Sequence, residues 1–260
     1  MSAATGRDRG DGAQAGCIQE PACQHGELRR RDTPSGSLDR HQGKPIVQRV
    51  WRVARVGDTG VLVVLADVMS EHVLAQVLAL DAALRRAPPV GLQSTVPAYA
   101  SLLCLFDPAT TDIDAITIRV RELEGEPAVS LPQGQHHEVP VRYDGPDLDR
   151  VARHAHLSTS EVVALHASLD YLVLCIGFAP GFSYCGELPA ALETPRLPSP
   201  RARVPAGSVG VAGRQTGIYA VESPGGWNLL GRTDRILFDP GRERPCALAA
   251  GDRVRFTPVA

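Results

Sequence analysis

Hydrophobic positions along the 260 residues fall into three regimes. Residues 1–44 hold four large apolar side chains (Met1, Ile18, Leu28, Leu38) among seven glycines and charges of both signs. Such a segment buries too little surface to offset its ordering entropy, so a disordered extension, or a start codon placed too far upstream, is expected, with Arg29-Arg30-Arg31 as solvated tail. In the second regime Trp51 to Val56 alternates weakly, Gly57-Asp58-Thr59-Gly60 turns, and Val61 to Ala66 reads as a buried strand. Ser70 is placed to cap a helix running to about Arg86, with Val73, Leu74, Val77, Leu78 and Leu84 on one stripe, and Pro88-Pro89 stops it. Tyr99 to Phe106 predicts another strand. Asp112 to Glu124 predicts a helix carrying Ile113, Ile116, Val120 and Leu123, closed by Gly125. Strand–helix alternation over 45–135 predicts a small α+β, ferredoxin-like domain.

The third regime covers 136–260. Val139 to Tyr143 opens it, followed by two short helices over about 147–156 and 158–168, the second with the capping box Ser158-Thr159-Ser160-Glu161. From Tyr171 onward short apolar runs are cut by Gly and Pro, which is the punctuation of a closed β-structure. The helix pair superficially resembles a helix-turn-helix, but its second helix has no Arg or Lys and would read a groove poorly.

Composition narrows the function classes. With 27 basic against 29 acidic residues the formal net charge is -2, which leaves no electrostatic footprint for nucleic acid. No apolar run approaches a membrane span and no secretory signal is visible, which with six cysteines lacking CxxC or zinc spacing points to a cytoplasmic protein. Cys104 and Cys175 lie inside apolar runs and read as buried free thiols. His136-His137 and His154/His156 read as surface residues, and His166 as a satisfied, half-buried one. No metal ligand set is visible, nor a Walker A, GxGxxG or GxSxG motif.

The candidate chemistry lies between Gly177 and Thr233. Gly177-Phe178-Ala179-Pro180-Gly181-Phe182-Ser183-Tyr184 packs glycines, a proline and three aromatics into one stiff loop. Pro200-Arg201 to Gly207-Ser208-Val209-Gly210, Gln215-Thr216-Gly217-Ile218-Tyr219, Ser223-Pro224-Gly225-Gly226-Trp227 and Gly231-Arg232-Thr233 follow. Glycine amides can approach a developing oxyanion, and a guanidinium can hold a carboxylate or phosphoryl group bidentately. Arg201 and Arg232 are therefore candidate clamps. Gln215, Thr216, Ser208 and Ser223 offer neutral hydrogen bonds, and Tyr184 and Trp227 can wall a pocket. The competing reading is structural, since Gly/Pro turns are what any small barrel needs at its corners.

These motifs, in this order, resemble the 5-oxoprolinase B-subunit family, also called allophanate hydrolase subunit 1 or KipI, a carboxyltransferase subdomain C/D type. The resemblance runs from about Val47 to Val259 and closes with Gly251-Asp252-x-Val254-x-Phe256-x-Pro258. It implies a small α+β domain followed by a cyclophilin-like β-barrel over 136–260. It also implies ATP as co-substrate, and work with two partner proteins, one like the C-type barrel component of 5-oxoprolinase and one like its A-type component, to open 5-oxoproline to L-glutamate. On that reading Arg201 or Arg232 clamps an anion. Amides around Gly207–Gly210 and Gly225–Gly226 serve oxygens, Gln215 and Thr216 orient the ring, and Phe178, Pro180, Gly181, Phe182, Tyr184 and Trp227 line the pocket. Ala220 and Arg214 depart from the family pattern at what would be the pocket mouth. Two alternatives stand beside it: an allophanate hydrolase or urea carboxylase-type carboxyltransferase subunit, for which biotin would matter, and a non-enzymatic inhibitor of a sensor histidine kinase.

Overall fold

The weak alternation at Trp51–Val56 and the apolar run after Gly60 pair as an antiparallel hairpin, β1 (Arg52–Val56) with β2 (Gly60–Val64), turned at Gly57 with φ 59°. The computed structural model describes residues 51–124, 131 and 133–260; the expected extension over 1–44 and the closing role of Gly125 lie outside them. Helix α1 (Glu71–Arg86) starts where Ser70 accepts from the Val73 amide at 3.1 Å. Helix α2 (Ile113–Glu122) starts where the Asp112 carboxylate accepts from the Ala115 amide at 2.9 Å. Two further strands, β3 (Leu92–Ala98) and β4 (Ser101–Phe106), complete an antiparallel sheet in the order β1-β2-β4-β3.

Strand β3 has no counterpart in the sequence reading, and the strand expected from Tyr99 begins at Ser101. LQSTVPA lacks an apolar alternation and contains Pro97, which an edge strand tolerates because one side of its backbone is unpaired. The chain order ββαββα differs from the βαββαβ order of a ferredoxin-like unit. In register, Val61 faces Cys104 and Val63 faces Leu102. That face carries both helices, through Val77, Leu80, Leu84, Ile116 and Val120 in one buried cluster.

The second half closes on itself. Strands β5 (His136–Arg142), β6 (Asp170–Ile176), β7 (Ser183–Gly186), β9 (Ser208–Ala212), β10 (Gln215–Ile218), β12 (Asn228–Arg232) and β13 (Arg253–Val259) form a barrel in the order β10-β7-β6-β13-β5-β12-β9. Only β5 and β13 run parallel. Pro140 is accommodated within β5 because β12 pairs with that strand only at Arg142. Helices α3 (Leu148–Ala155) and α4 (Thr159–Ala167) pack on it, α4 with the expected capping box, and Val151 and Val162 enter the barrel's buried cluster. A short ribbon, β8 (Arg201–Val204) with β11 (Ser223–Gly225), lies apart from the barrel strands.

Two histidine expectations are corrected. His137 is buried, its Nε2 3.1 Å from Asp252 Oδ2, because β5 alternates and His137 takes the inward phase with Val139 and Val141. His166 is fully buried rather than half-buried. Cys104, Cys175 and Cys185 are buried free thiols; burial pushes them up to about 12, 11 and 12, which leaves them protonated and poor nucleophiles. Among the described residues no helix is long and apolar enough to cross a membrane.

Candidate functional site

Alternation in the barrel strands divides the motif residues between two sides of the wall. Cys185, Val209, Val211, Ile218 and Leu230 point inward and fill the barrel. Phe182, Tyr184, Ala212, Trp227 and Leu229 form a second cluster with Val204 and Tyr219. Gly210 and Gly217 are direct partners across β9 and β10. A Cβ on Gly217 would lie 3.1 Å from Trp227 Cζ3 and 3.2 Å from Phe182 Cζ. The two paired glycines thus give a bare backbone floor on which the rings lie.

Phe182 is the hub of this layer. Its ring meets Tyr184, Tyr219, Trp227 and Phe178 edge-to-face, with centroids 4.7, 4.8, 5.4 and 5.6 Å away. Between these rings and the β8–β11 ribbon opens a cavity of about 280 Å³, lined also by Arg196, Pro200, Pro224, Gly225 and Gly226. Gly225 is required there, since a Cβ would meet the Tyr219 ring at 2.8 Å. Burial raises the Tyr219 phenol above its ordinary value, opposed in part by the Trp227 backbone and by Arg196 and Arg201. Ser223 Oγ is buried without a hydrogen-bond partner among the described residues.

Phe178 is the strained member. Its φ is 68°, and the Ala179 amide donates to the Gly177 carbonyl at 2.8 Å, so Phe178 is the middle of a γ-turn of the rare positive-φ kind. The residue is 65% exposed. Gly181, at φ 71°, brings the chain back against Ala220 and Phe238, and the Phe182 amide closes the loop on the Ala179 carbonyl at 3.0 Å. Pro180 sits in the same loop.

The sequence candidates therefore separate. Phe178, Phe182, Tyr184, Gly225, Gly226 and Trp227 share the aromatic cavity. Arg201 is held beside it but is committed: Nη2 donates to Asp147 Oδ1 at 2.7 Å and Nη1 to the Trp227 carbonyl at 3.3 Å. Asp147 is buried and also accepts from the Leu229 amide, so this pair ties the start of α3 to the wall. Arg232 lies elsewhere, exposed in a depression with Glu138, Arg142, Asp234 and Arg235. Convergence of Arg201 and Arg232 on one hollow is thus not what the fold provides, because Arg201 stands on the β8–β11 ribbon, paired with Asp147, and Arg232 ends barrel strand β12 in a different depression. Gly207 and Ser208 are likewise committed: the Gly207 amide donates to the Tyr219 carbonyl at 2.7 Å, and Ser208 Oγ donates to the Pro205 carbonyl at 2.7 Å. The amides at that turn serve the fold, so oxyanion donors are not found there.

Gln215 and Arg214 line a different cavity, about 550 Å³, with Glu71, Asp170, Leu174, Glu187 and Arg253; Arg214 pairs with Glu187 at 3.1 Å. Thr216 points into the barrel, 2.8 Å from His166 Nε2, and donates to the Gly210 carbonyl at 3.1 Å; His166 Nδ1 is 2.7 Å from the Tyr143 hydroxyl. A hydroxyl beside an imidazole suggests nucleophile and base, but both are fully buried and every polar atom is matched. Burial lowers His166 to about 3, so it stays neutral.

Sequence reasoning missed Arg196 and Tyr219 as cavity residues. The Pro195-Arg196 step and the Tyr219 that closes the Gln215–Tyr219 motif were the available signals, but neither shows that the ribbon folds back over the outer wall. Among the described residues no cluster of His, Cys, Asp or Glu could hold a metal ion.

An antiparallel-rich closed barrel with a ring-lined hollow on its outer wall, joined to a four-stranded α+β sheet, defines the class. Residues 51–248 match the carboxyltransferase domain, subdomain C and D, and the chain belongs to that family. Its relatives there include the 5-oxoprolinase B subunit of Bacillus subtilis (strain 168), 34% identical over 224 residues that cover 81% of this chain and 93% of the relative. The 5-oxoprolinase B subunit of Escherichia coli O157:H7 is 48% identical over 157 residues, 59% of this chain and 72% of that one. Among solved structures, TTHA0988 superimposes with a TM-score of 0.69 at 45% identity over 77% of this chain, which spans 40% of that protein's length.

Proposed function

We propose that this protein is the B-type component of an ATP-dependent 5-oxoprolinase, acting in a complex with a C-type barrel protein and an A-type protein. The observation that carries this reading is the likeness to 5-oxoprolinase B subunits over most of those relatives' length. The aromatic cavity is compatible with it, since it has room for one small ring and a cation at its rim.

Opening a lactam needs its carbonyl made electrophilic. Phosphoryl transfer from ATP to the amide oxygen, with release of ADP, would do this; one water then adds to that carbon and the C–N bond breaks to give γ-glutamyl phosphate, which a second water hydrolyses to L-glutamate and phosphate. A site for such a step needs ring-packing walls, an anchor for the carboxylate and donors to the developing charge rather than a side-chain nucleophile. The rings around Phe182 supply the walls.

The test is reconstitution of this chain with its A-type and C-type partners, followed by glutamate release from 5-oxo-L-proline with and without ATP. ATP-dependent release that is lost when this chain is omitted is the expected result. A complete mixture that releases no glutamate refutes the reading.

A further inference from the structure

Arg196 stands out from the other guanidinium groups near the cavity. Arg201 is bound to Asp147, and Arg203 pairs with Glu222 at 2.7 Å. Arg196 lines the cavity, and among the described residues its guanidinium has no carboxylate or hydrogen-bond partner. It is nevertheless presented from a pinned backbone. The Pro195 carbonyl accepts from the buried Asn228 Nδ2 at 3.0 Å, and the Leu197 amide donates to the Gly226 carbonyl at 2.8 Å. A free cation on a rigid rim is the arrangement that recognises a carboxylate bidentately at small entropic cost.

The same cavity is lined by Phe178, an exposed residue on a backbone that strains to hold it there. Glycine would adopt that φ freely, so the fold carries a phenyl ring at a position where backbone conformation argues against one. The rest of the cavity is apolar and aromatic, with glycine backbone at Gly225 and Gly226.

We propose that Arg196 is the anion anchor of the aromatic cavity and that Phe178 closes over the ring of a small cyclic carboxylic acid held there. The proposal rests on the oxoprolinase reading for the identity of that acid, but not for the site itself. Arg201 and Arg232 then have other duties, the first holding Asp147 and the second lying outside the cavity.

The test is calorimetric titration of the full-length chain with 5-oxo-L-proline, with its carboxamide and with inorganic phosphate, for wild type, Arg196→Ala and Phe178→Gly. Wild type is expected to bind the acid at least tenfold more tightly than the carboxamide. Arg196→Ala, which removes a side chain with no hydrogen-bond or ion-pair partner among the described residues, is expected to erase that preference. Phe178→Gly is expected to weaken acid and carboxamide together while keeping the preference. A preference that survives Arg196→Ala overturns the anchor. So does phosphate that displaces the acid more strongly than the carboxamide does, or binding of none of the three probes together with no binding of L-proline or another ring acid. If an alternative ring acid binds in an Arg196-dependent way while 5-oxoproline is inert, the anchor stands and the oxoprolinase reading fails. If the reconstituted complex turns over 5-oxoproline with an unchanged KM in Arg196→Ala, the reading stands and the anchor fails.

Discussion

Acidification probes the buried imidazole. His166 has no exposure, its ring stacks on Phe256 with centroids 4.6 Å apart, and burial lowers its pKa to about 3. In an unfolded chain the same group titrates near about 6.5. Between those values the unfolded state holds one more proton than the folded state, so stability rises with pH across the window and is lost as pH falls below about 6.5. Each pH unit well inside the window costs at most about 1.4 kcal/mol. Going from about pH 6.5 to about pH 5 should then remove roughly 1–2 kcal/mol, a visible share of the stability of an ordinary domain. Urea midpoints followed by circular dichroism across that range, for wild type and for His166→Gln, measure it. The amide can still bridge Tyr143 and Thr216 but does not titrate, so the variant, less stable overall through lost ring packing, should show a curve flatter by that amount. The remaining side chains are common to both proteins and cancel in the difference. Parallel pH curves for the two proteins would refute the neutral buried imidazole.

Two further substitutions separate fold from function. Thr216→Val keeps the side-chain shape but leaves the buried His166 Nε2 without its hydroxyl partner and removes the hydroxyl's bond to the Gly210 carbonyl, which should cost about 1–3 kcal/mol and lower the thermal midpoint by roughly 2–10 °C. KM for the substrate should hold when measured below that midpoint; a raised KM with an unshifted midpoint would return Thr216 to substrate contact. Gly225→Ala drives a methyl into the Tyr219 ring, with carbons at 2.8 Å, whereas Gly226→Ala meets nothing nearer than 3.7 Å. Thermal melts should show a loss of about 1–3 kcal/mol for the first and little change for the second; equal losses would mean that the ribbon can shift off the ring.

The local signals in the chain determined much of the scaffold. Ser70, Asp112 and the Ser158–Glu161 box cap helices because a side-chain oxygen beside free amides acts within one turn, without help from distant residues. The Gly/Pro punctuation after Tyr171 announced a closed β-structure for the same local reason. Strand β3 escaped because an edge strand is held by one neighbour's backbone and needs no pattern of its own. What only tertiary structure decided was the sorting of the motif residues. Period-two alternation sends Thr216 inward and leaves Gly217 outward one residue later, so adjacent letters of a single motif serve a buried network and the floor of a cavity. Which arginine remains free depends on where the carboxylates fall: Asp147, fifty-four positions from Arg201 in sequence, claims that guanidinium, and among the described residues no carboxylate reaches Arg196 at the rim. Charge pairing and wall side are set by distances across the fold, which a linear chain does not carry.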